Sequence, residues 1–501
     1  MLRVHPFENL VVSRLLDFFA GASPWQRALW TSGIVLTLHE VLEASEAARS
    51  GVLSIDTLRD LASMASRIAG PDPGVGTEAN RRALQQALRG DIVLGGVDCH
   101  TIGQIAADLK INYLKNWQAV LRNGSQPGPP GGERTARALA AHLLDLGFSG
   151  SYLHRWCTYH IKNVAGVGTL AELVGEADRV AAKGDQPYKI LMGFEAAPEG
   201  KSGMPPNWLK ASEFSDWLRG HGIDPKGIRQ AGAFLFTVKA RDPWSAVQSV
   251  VEQVEHLMSR VALGTEAQLR SLDHVWLQLA GGTVAGANAP RRYPIMSRRR
   301  HVEIHALHRE DKLYVTERAT IVDAGLELLG ALNSGAPSSA VAAGWAAIEA
   351  LLTGPGEADI LGAERLATLV ACSFPRAELT NLSYKIEKQG HAIAPQLASC
   401  STNRDRAALV ATTIASGTAL RFDDPSDNAA FLRMQQVISN PSIVLQDVQT
   451  HVAASCRRLY RNRNLVLHGG KTDAVGLRAV LRTVGSTCRC RHGSSCSWLV
   501  C

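Results

Sequence analysis

The 501-residue chain has no run of about eighteen uncharged apolar residues, the length a membrane-crossing helix needs. Its first hydrophobic stretch, MLRVHPFENLVVSRLLDFF, is broken by Arg14 and Asp17, unlike the uninterrupted core of a secretory signal. These two absences predict a cytoplasmic protein with no membrane partner. Cysteine is sparse and irregularly spaced: five stand singly and four crowd together from Cys488 on, which argues against a disulfide framework. Aromatic residues make up only 6% and no repeat at a solenoid period is present, which removes propellers and helical arrays. What remains is ordinary: 46% hydrophobic and 20% charged residues describe a folded chain, long enough for two or three cores.

The patterning predicts a multidomain, mainly α protein. Residues 1–161 read as helices separated by the breaks GPDPGVG and NGSQPGPPGGE. Within them, 101–124 (TIGQIAADLKINYLKNWQAVLRNG) shows two short amphipathic patterns joined at Lys110 to Asn112. That is the size of a helix-turn-helix, or of a plain helical hairpin. Residues 168–314 mix strand-like PYKILMGFEA, GAFLFTVKA and HVWLQLAGG with helical SAVQSVVEQVEHLMSRVAL, an α/β or α+β unit. In FTVKARDPWSAV, Asp242 is the expected N-cap and Pro243 the first helical residue, where a missing N–H costs nothing. From 315 to 485 the helical period returns and persists, an all-α bundle with Ser338, Asp405 and Asn440 as expected caps and Gly335 and Gly354 as stops. Residues 486–501 lack a periodic apolar face and read as a disordered tail.

Several signatures fail on context. The GxGxxA strings at Gly74 and Gly166 lack a preceding strand, and Gly470-Lys471-Thr472 follows Leu465 where a phosphate loop needs glycine. No nucleotide or other cofactor is expected. His301, Glu303 and His305 alternate as on one strand face, with His308 nearby, and His154, Cys157 and His160 fall at helical spacing. A polar strand face and an interior histidine pair explain them without metal. Cys488, Cys490, His492 and Cys496 supply zinc-binding atoms, but the C-x-C start lacks the usual two-residue gap.

Charge is concentrated at the end: Pro441 to Cys501 holds nine Lys or Arg against Asp447 and Asp473, which suits either a polyanionic partner or a solvated basic face. Here lies CRRLYRNRNLVLHGGKTD. Arg463 and His468 are five residues apart, which an ideal helix separates by about 140°, so they converge only through the length of the arginine or a break in the helix. A guanidinium can grip a phosphate with two hydrogen bonds, and an imidazole can move a proton near neutral pH. Asn464 can fix a side chain or bind phosphate.

The string Tyr460-x-x-Arg463-Asn464-x-Val466-x-His468-Gly469 resembles the R-x4-6-H signature of HEPN domains, in particular the Apea-like branch. Upstream, Trp345 and Glu349 in GWAAIEALLTG are similar to that branch's early Trp-x-x-x-Glu helix, and AERLATLVA to the next. The resemblance implies a four- or five-helix bundle that dimerises and cuts RNA without a metal. It assigns Arg463, Asn464 and His468 to catalysis, and places the basic neighbours Arg457, Arg458, Arg461 and Lys471 where they can hold the RNA backbone. It further implies bacterial antiphage defence or a toxin system, with residues 1–314 restraining or activating the nuclease in answer to a phage-derived or antitoxin-like regulator. The competing reading is a non-catalytic nucleic-acid-binding regulator that uses the bundle for dimerisation and 101–124 for DNA. Trp345 and Ile348, with Leu352, repeat at three and four residues and are expected in the bundle core.

Overall fold

The computed structural model describes residues 5–21, 23–123, 130–163, 168–197, 204–264, 268–280, 289–295, 303–304, 321–333, 336–487 and 489–490. His301, His305 and His308, Gly166, the 314/315 boundary and most of the cysteine-rich tail lie outside them, so of the expected trio only Glu303 is described. The chain is mainly helical, with a five-stranded antiparallel sheet in its middle.

Eight helices come first: α1 (Pro6–Phe19), α2 (Ile34–Arg49), α3 (Ile55–Ala69), α4 (Glu78–Arg89), α5 (Val97–Asn123), α6 (Gly132–Asp145), α7 (Gly150–Asn163) and α8 (Leu170–Ala182). The expected pair of short helices at 101–124 is one continuous helix of 27 residues, α5, so neither a helix-turn-helix nor a hairpin exists there. The reason is local. Lys110, Ile111 and Asn112 include no glycine or proline to end the helix. Ile102, Ala106, Leu109, Tyr113 and Trp117 form one unbroken buried stripe through the supposed turn. The glycine string at Gly74 sits in the turn Pro73–Val75, where a Cβ on Gly74 would strike Tyr113 and Trp117.

The sheet comprises β1 (Gln186–Ala196), β2 (Trp208–Lys210), β3 (Gly232–Ala240), β4 (Arg270–Leu279) and β5 (Arg291–Pro294), in the order β2-β3-β1-β4-β5 with every pair antiparallel. Antiparallel pairing with helices α9 (Ala211–Gly220) and α10 (Pro243–Gly264) makes this an α+β unit. Alternation along β1 divides its residues between two small cores. Ile190, Met192 and Phe194 pack with Val247, Val250 and Val254 of α10, whereas Leu191 meets Phe214 and Leu218 of α9. The Asp242 carboxylate caps α10 as expected, accepting from Trp244 and Ser245 N–H at 2.8 and 2.9 Å. It also accepts from the N–H and hydroxyl of Ser149 at 2.7 and 2.9 Å, joining the sheet unit to the start of α7.

The remaining helices are α11 (Ile321–Gly330), α12 (Pro337–Leu352), α13 (Leu361–Lys388), α14 (Ala394–Ala398), α15 (Asn403–Ala415), α16 (Pro425–Ser439), α17 (Pro441–Leu467) and α18 (Leu477–Thr487); a short parallel pair, β6 (Glu303–Ile304) with β7 (Arg489–Cys490), completes the described elements. Asn440 is the N-cap of α17, but α15 is capped by Thr402 with Asp405 in its first turn, and α12 begins at Pro337, so Ser338 is already helical. Trp345 and Ile348 are buried, as their spacing required.

Residues 1–161 and 336–487 do not have separate cores. Val11, Leu38, Leu109 and Leu139 belong to the same contiguous cluster as Trp345, Val370, Leu382, Val452 and Leu459. Ion pairs cross the same seam inside it. Arg27 reaches Glu378 (2.9 Å) and Asp427 (2.8 Å), and Arg433 shares Glu378 (3.0 Å). Arg458 meets Glu40 (2.7 Å) and Arg482 meets Asp145 (2.6 Å). The sheet unit is therefore inserted, by sequence, into one helical body. Among the described residues no helix is long and apolar enough to cross a membrane.

Candidate active site at the end of helix α17

Helix α17 packs against α13, α12, α16 and α18, and its last turn ends at His468. The ending is made by backbone geometry. His468 N–H donates to Asn464 O (2.9 Å), Lys471 N–H donates to Leu465 O (3.0 Å), and Gly470 adopts φ +64°, the left-handed conformation that side chains resist.

The length of the arginine is the route used, since the helix is unbroken from Arg463 to Leu467 and His468 itself is still helical. Arg463 extends along the last turn while His468 sits where the helix stops. The Arg463 Nη1 donates to Asn464 Oδ1 (2.9 Å) and to His468 Nε2 (3.2 Å). Accepting from a guanidinium requires the Nε2 lone pair, so in this arrangement the ring proton belongs on Nδ1. Asn464 is buried, Arg463 half-buried and His468 exposed, which fixes the arginine and leaves the imidazole open to a ligand. Trp345 on α12 supports the preceding turn. Its ring lies 4.9 Å from that of Tyr460, and its Nε1 donates to Glu349 Oε1 (2.5 Å). The tryptophan of the Trp-x-x-x-Glu string thus packs against the tyrosine of the R-x4-H string, and the glutamate accepts from that tryptophan.

The basic neighbours divide, and two must be corrected. Arg458 is 2% exposed and paired with Glu40. Arg461 is 6% exposed; burial, aided by the neighbouring Arg458 and Arg457 charges and opposed by Glu40, brings its guanidinium down to about 10. Both face the interior and are not placed to meet an RNA backbone. Arg457 is half-exposed but held by Glu364 on α13 at 3.0 and 2.5 Å, and Lys471 is held by Glu43 (3.0 Å) and Glu46 (3.6 Å). Among the described residues, Arg463 alone of these five cations is neither buried nor paired with a carboxylate.

Sequence reasoning missed Glu40, Glu43 and Glu46. The signal was present: in IVLTLHEVLEASEAAR the glutamates recur every three residues, and Glu40 and Glu43 stand at buried positions of the helix. A buried acid needs a buried cation. Among the described residues no group of three or more His, Cys, Asp or Glu could hold a metal ion, and Cys157 is buried with its thiol pushed up to about 12 by burial. No family model, no curated protein and no solved structure matches this chain.

Proposed function

We propose that this chain is a metal-independent RNA endonuclease of the HEPN type. The observation that carries this reading is the meeting of Arg463, Asn464 and His468 within hydrogen-bond distance at an exposed helix end, although five residues of ideal helix would hold Arg463 and His468 apart. An unpaired guanidinium beside an imidazole suits a phosphodiester. As the phosphate draws Arg463 away from His468, Nε2 is freed to take the proton of the RNA 2′-hydroxyl, which attacks its own phosphorus; Arg463 binds the non-bridging oxygens as charge builds on them, and the P–O5′ bond breaks. Products are a 2′,3′-cyclic phosphate and a 5′-hydroxyl end, whose oxygen is protonated by water or by a second copy of the site. One arginine and one imidazole are few groups for this work, so a two-fold dimer bringing two sets into one cleft belongs to the proposal. Antiphage defence or a toxin system is the biological setting the HEPN resemblance supplies, with residues 1–314 as the regulatory part; the continuous core joins residues 1–161 of that part to the proposed nuclease, while the sheet unit keeps its own cores.

The experiment is cleavage of a short RNA by the full chain with and without EDTA, beside the same strand carrying 2′-deoxyribose at the cut site. Cleavage should persist in EDTA, end in a cyclic phosphate, fail on the deoxy strand, and vanish in His468→Ala and Arg463→Ala while the fold is kept. Equal cutting of the deoxy strand, or loss of activity on chelation, overturns the mechanism.

A further inference from the structure

The segment after His468 is tied to the N-terminal third of the chain. Glu43, 7% exposed on α2, accepts the Val475 N–H at 3.2 and 3.3 Å through its two oxygens and holds Lys471 Nζ at 3.0 Å. Glu46, one turn on, lies 3.6 Å from the same ammonium, and Glu40, one turn back, holds Arg458 of α17 at 2.7 Å. One face of α2 therefore carries three glutamates at i, i+3 and i+6. They grip the helix before His468 and the loop after it. The backbone of Lys471 is also bonded to Leu465 O (3.0 Å), so one residue links the end of α17 to α2. The loop closes tightly: a Cβ on Gly476 would come within 2.3 Å of Glu40 Oε1.

We infer that Glu43 is a positioning residue for His468: it holds the 469–476 loop against α2, and thereby keeps the imidazole against Arg463. The inference rests on reading His468 as the proton-transfer group. It means that the geometry of a C-terminal site is set by an N-terminal helix, three residues of loop away. Shifting an imidazole by about an ångström costs on the order of 10²-fold in rate, so the loss of this tie falls on turnover rather than on substrate binding.

The test uses the full chain with carbon-13-labelled histidine, its His468 signals assigned by their absence in His468→Gln. In Glu43→Ala the His468 signals should move, and kcat for RNA should fall by about 10²-fold with KM little changed. Glu43→Gln, which still accepts the Val475 N–H, should restore most of both. A folded Glu43→Ala protein whose His468 signals superimpose on those of the wild type overturns the inference, whatever the cleavage assay reads. Should Glu43→Ala fail to fold, Lys471→Met removes only a half-exposed side chain and must itself shift His468; unchanged signals there also overturn it. Moved signals in a protein that never cuts RNA would leave the positioning role standing and remove the ribonuclease reading instead.

Discussion

Arg463 uses one nitrogen for two partners, Asn464 and His468, and so keeps the rest of its planar fork for a ligand. A lysine carries the same charge on a single point and cannot do all three. Arg463→Lys is therefore expected to lower RNA cleavage by on the order of 10²–10³-fold, as for loss of an oriented donor to developing charge, with an unchanged melting temperature. A lysine variant as active as wild type would show that charge alone matters. Trp345 is fully buried behind Tyr460, so Trp345→Ala should cost about 3–5 kcal/mol in urea unfolding, the range for large aromatic truncations. At this scale the pairing of Arg463 with His468 was legible from residue type and spacing, but the direction of the other arginines was not. Four arginines fall within seven residues, 457 to 463; on an ideal helix Arg457, Arg461 and Arg458 span about 100° and Arg463 stands about 120° from the nearest of them. Arg458, Arg461 and Leu465 share a face at i, i+3 and i+7; only knowing that this face meets Glu40 separates an interior arginine from a ligand-binding one.

Single helices and strands with a strong period were read correctly, as at β1, β3, β4 and α17, because periodicity is written locally. Continuity was harder. Helix α5 runs through a polar step that looked like a turn, and α13 runs through Pro375, a residue that usually ends a helix, because Phe374 and Ala377 on either side of it are buried in the core. Helix α5 also carries a pH effect that can be worked out in sign. Tyr113 donates to Asp72 (2.8 Å) and stacks on His142 of α6, with ring centroids 4.2 Å apart. Burial raises Asp72 to about 6, against the hydrogen bonds from Tyr113 and Gly74, and burial lowers His142 to about 3. A raised carboxyl gives stability that is present in acid and lost as pH rises through about 6; a lowered imidazole gives stability that is present above its ordinary 6.5 and lost as pH falls toward about 3. Between pH 6 and 4 the two oppose each other. His142→Phe should therefore gain on wild type as pH falls across that window, and Asp72→Asn should lose, each by on the order of 3 kcal/mol. Urea titrations at pH 4, 5, 6 and 7 decide it; differences of the same sign for both variants would refute the assignment.

For the molecule as a whole, the decisive fact is that its first and last thirds share one interior. Glu378 is fully buried and holds both Arg27 and Arg433. Glu378→Ala leaves Arg433 without its carboxylate and Arg27 with Asp427 alone, and should cost about 3–5 kcal/mol. Hydrogen exchange should then speed up together in α1 and α16 and stay unchanged in β1, whose cores are separate. Residues 336–487 expressed alone are expected not to fold, since they would expose the surface that α1, α2 and α6 cover; a native circular-dichroism melt of that fragment would disprove this. No pattern within either third could show the sharing, because helices more than 300 residues apart leave no mark of each other except buried charges that lack a local partner.

That shared interior also has a consequence for synthesis. Helices α1 to α8 leave the ribosome well before α17 exists, and at roughly 5–20 residues per second the intervening chain takes about 15–60 s to make. During that interval the apolar faces that α12, α13 and α17 will cover are open to solvent. His468 and its glutamate clamp are assembled only when residues 441–476 arrive. If the finished site cuts RNA, the order of translation itself keeps the site unformed until the 469–476 loop has been made.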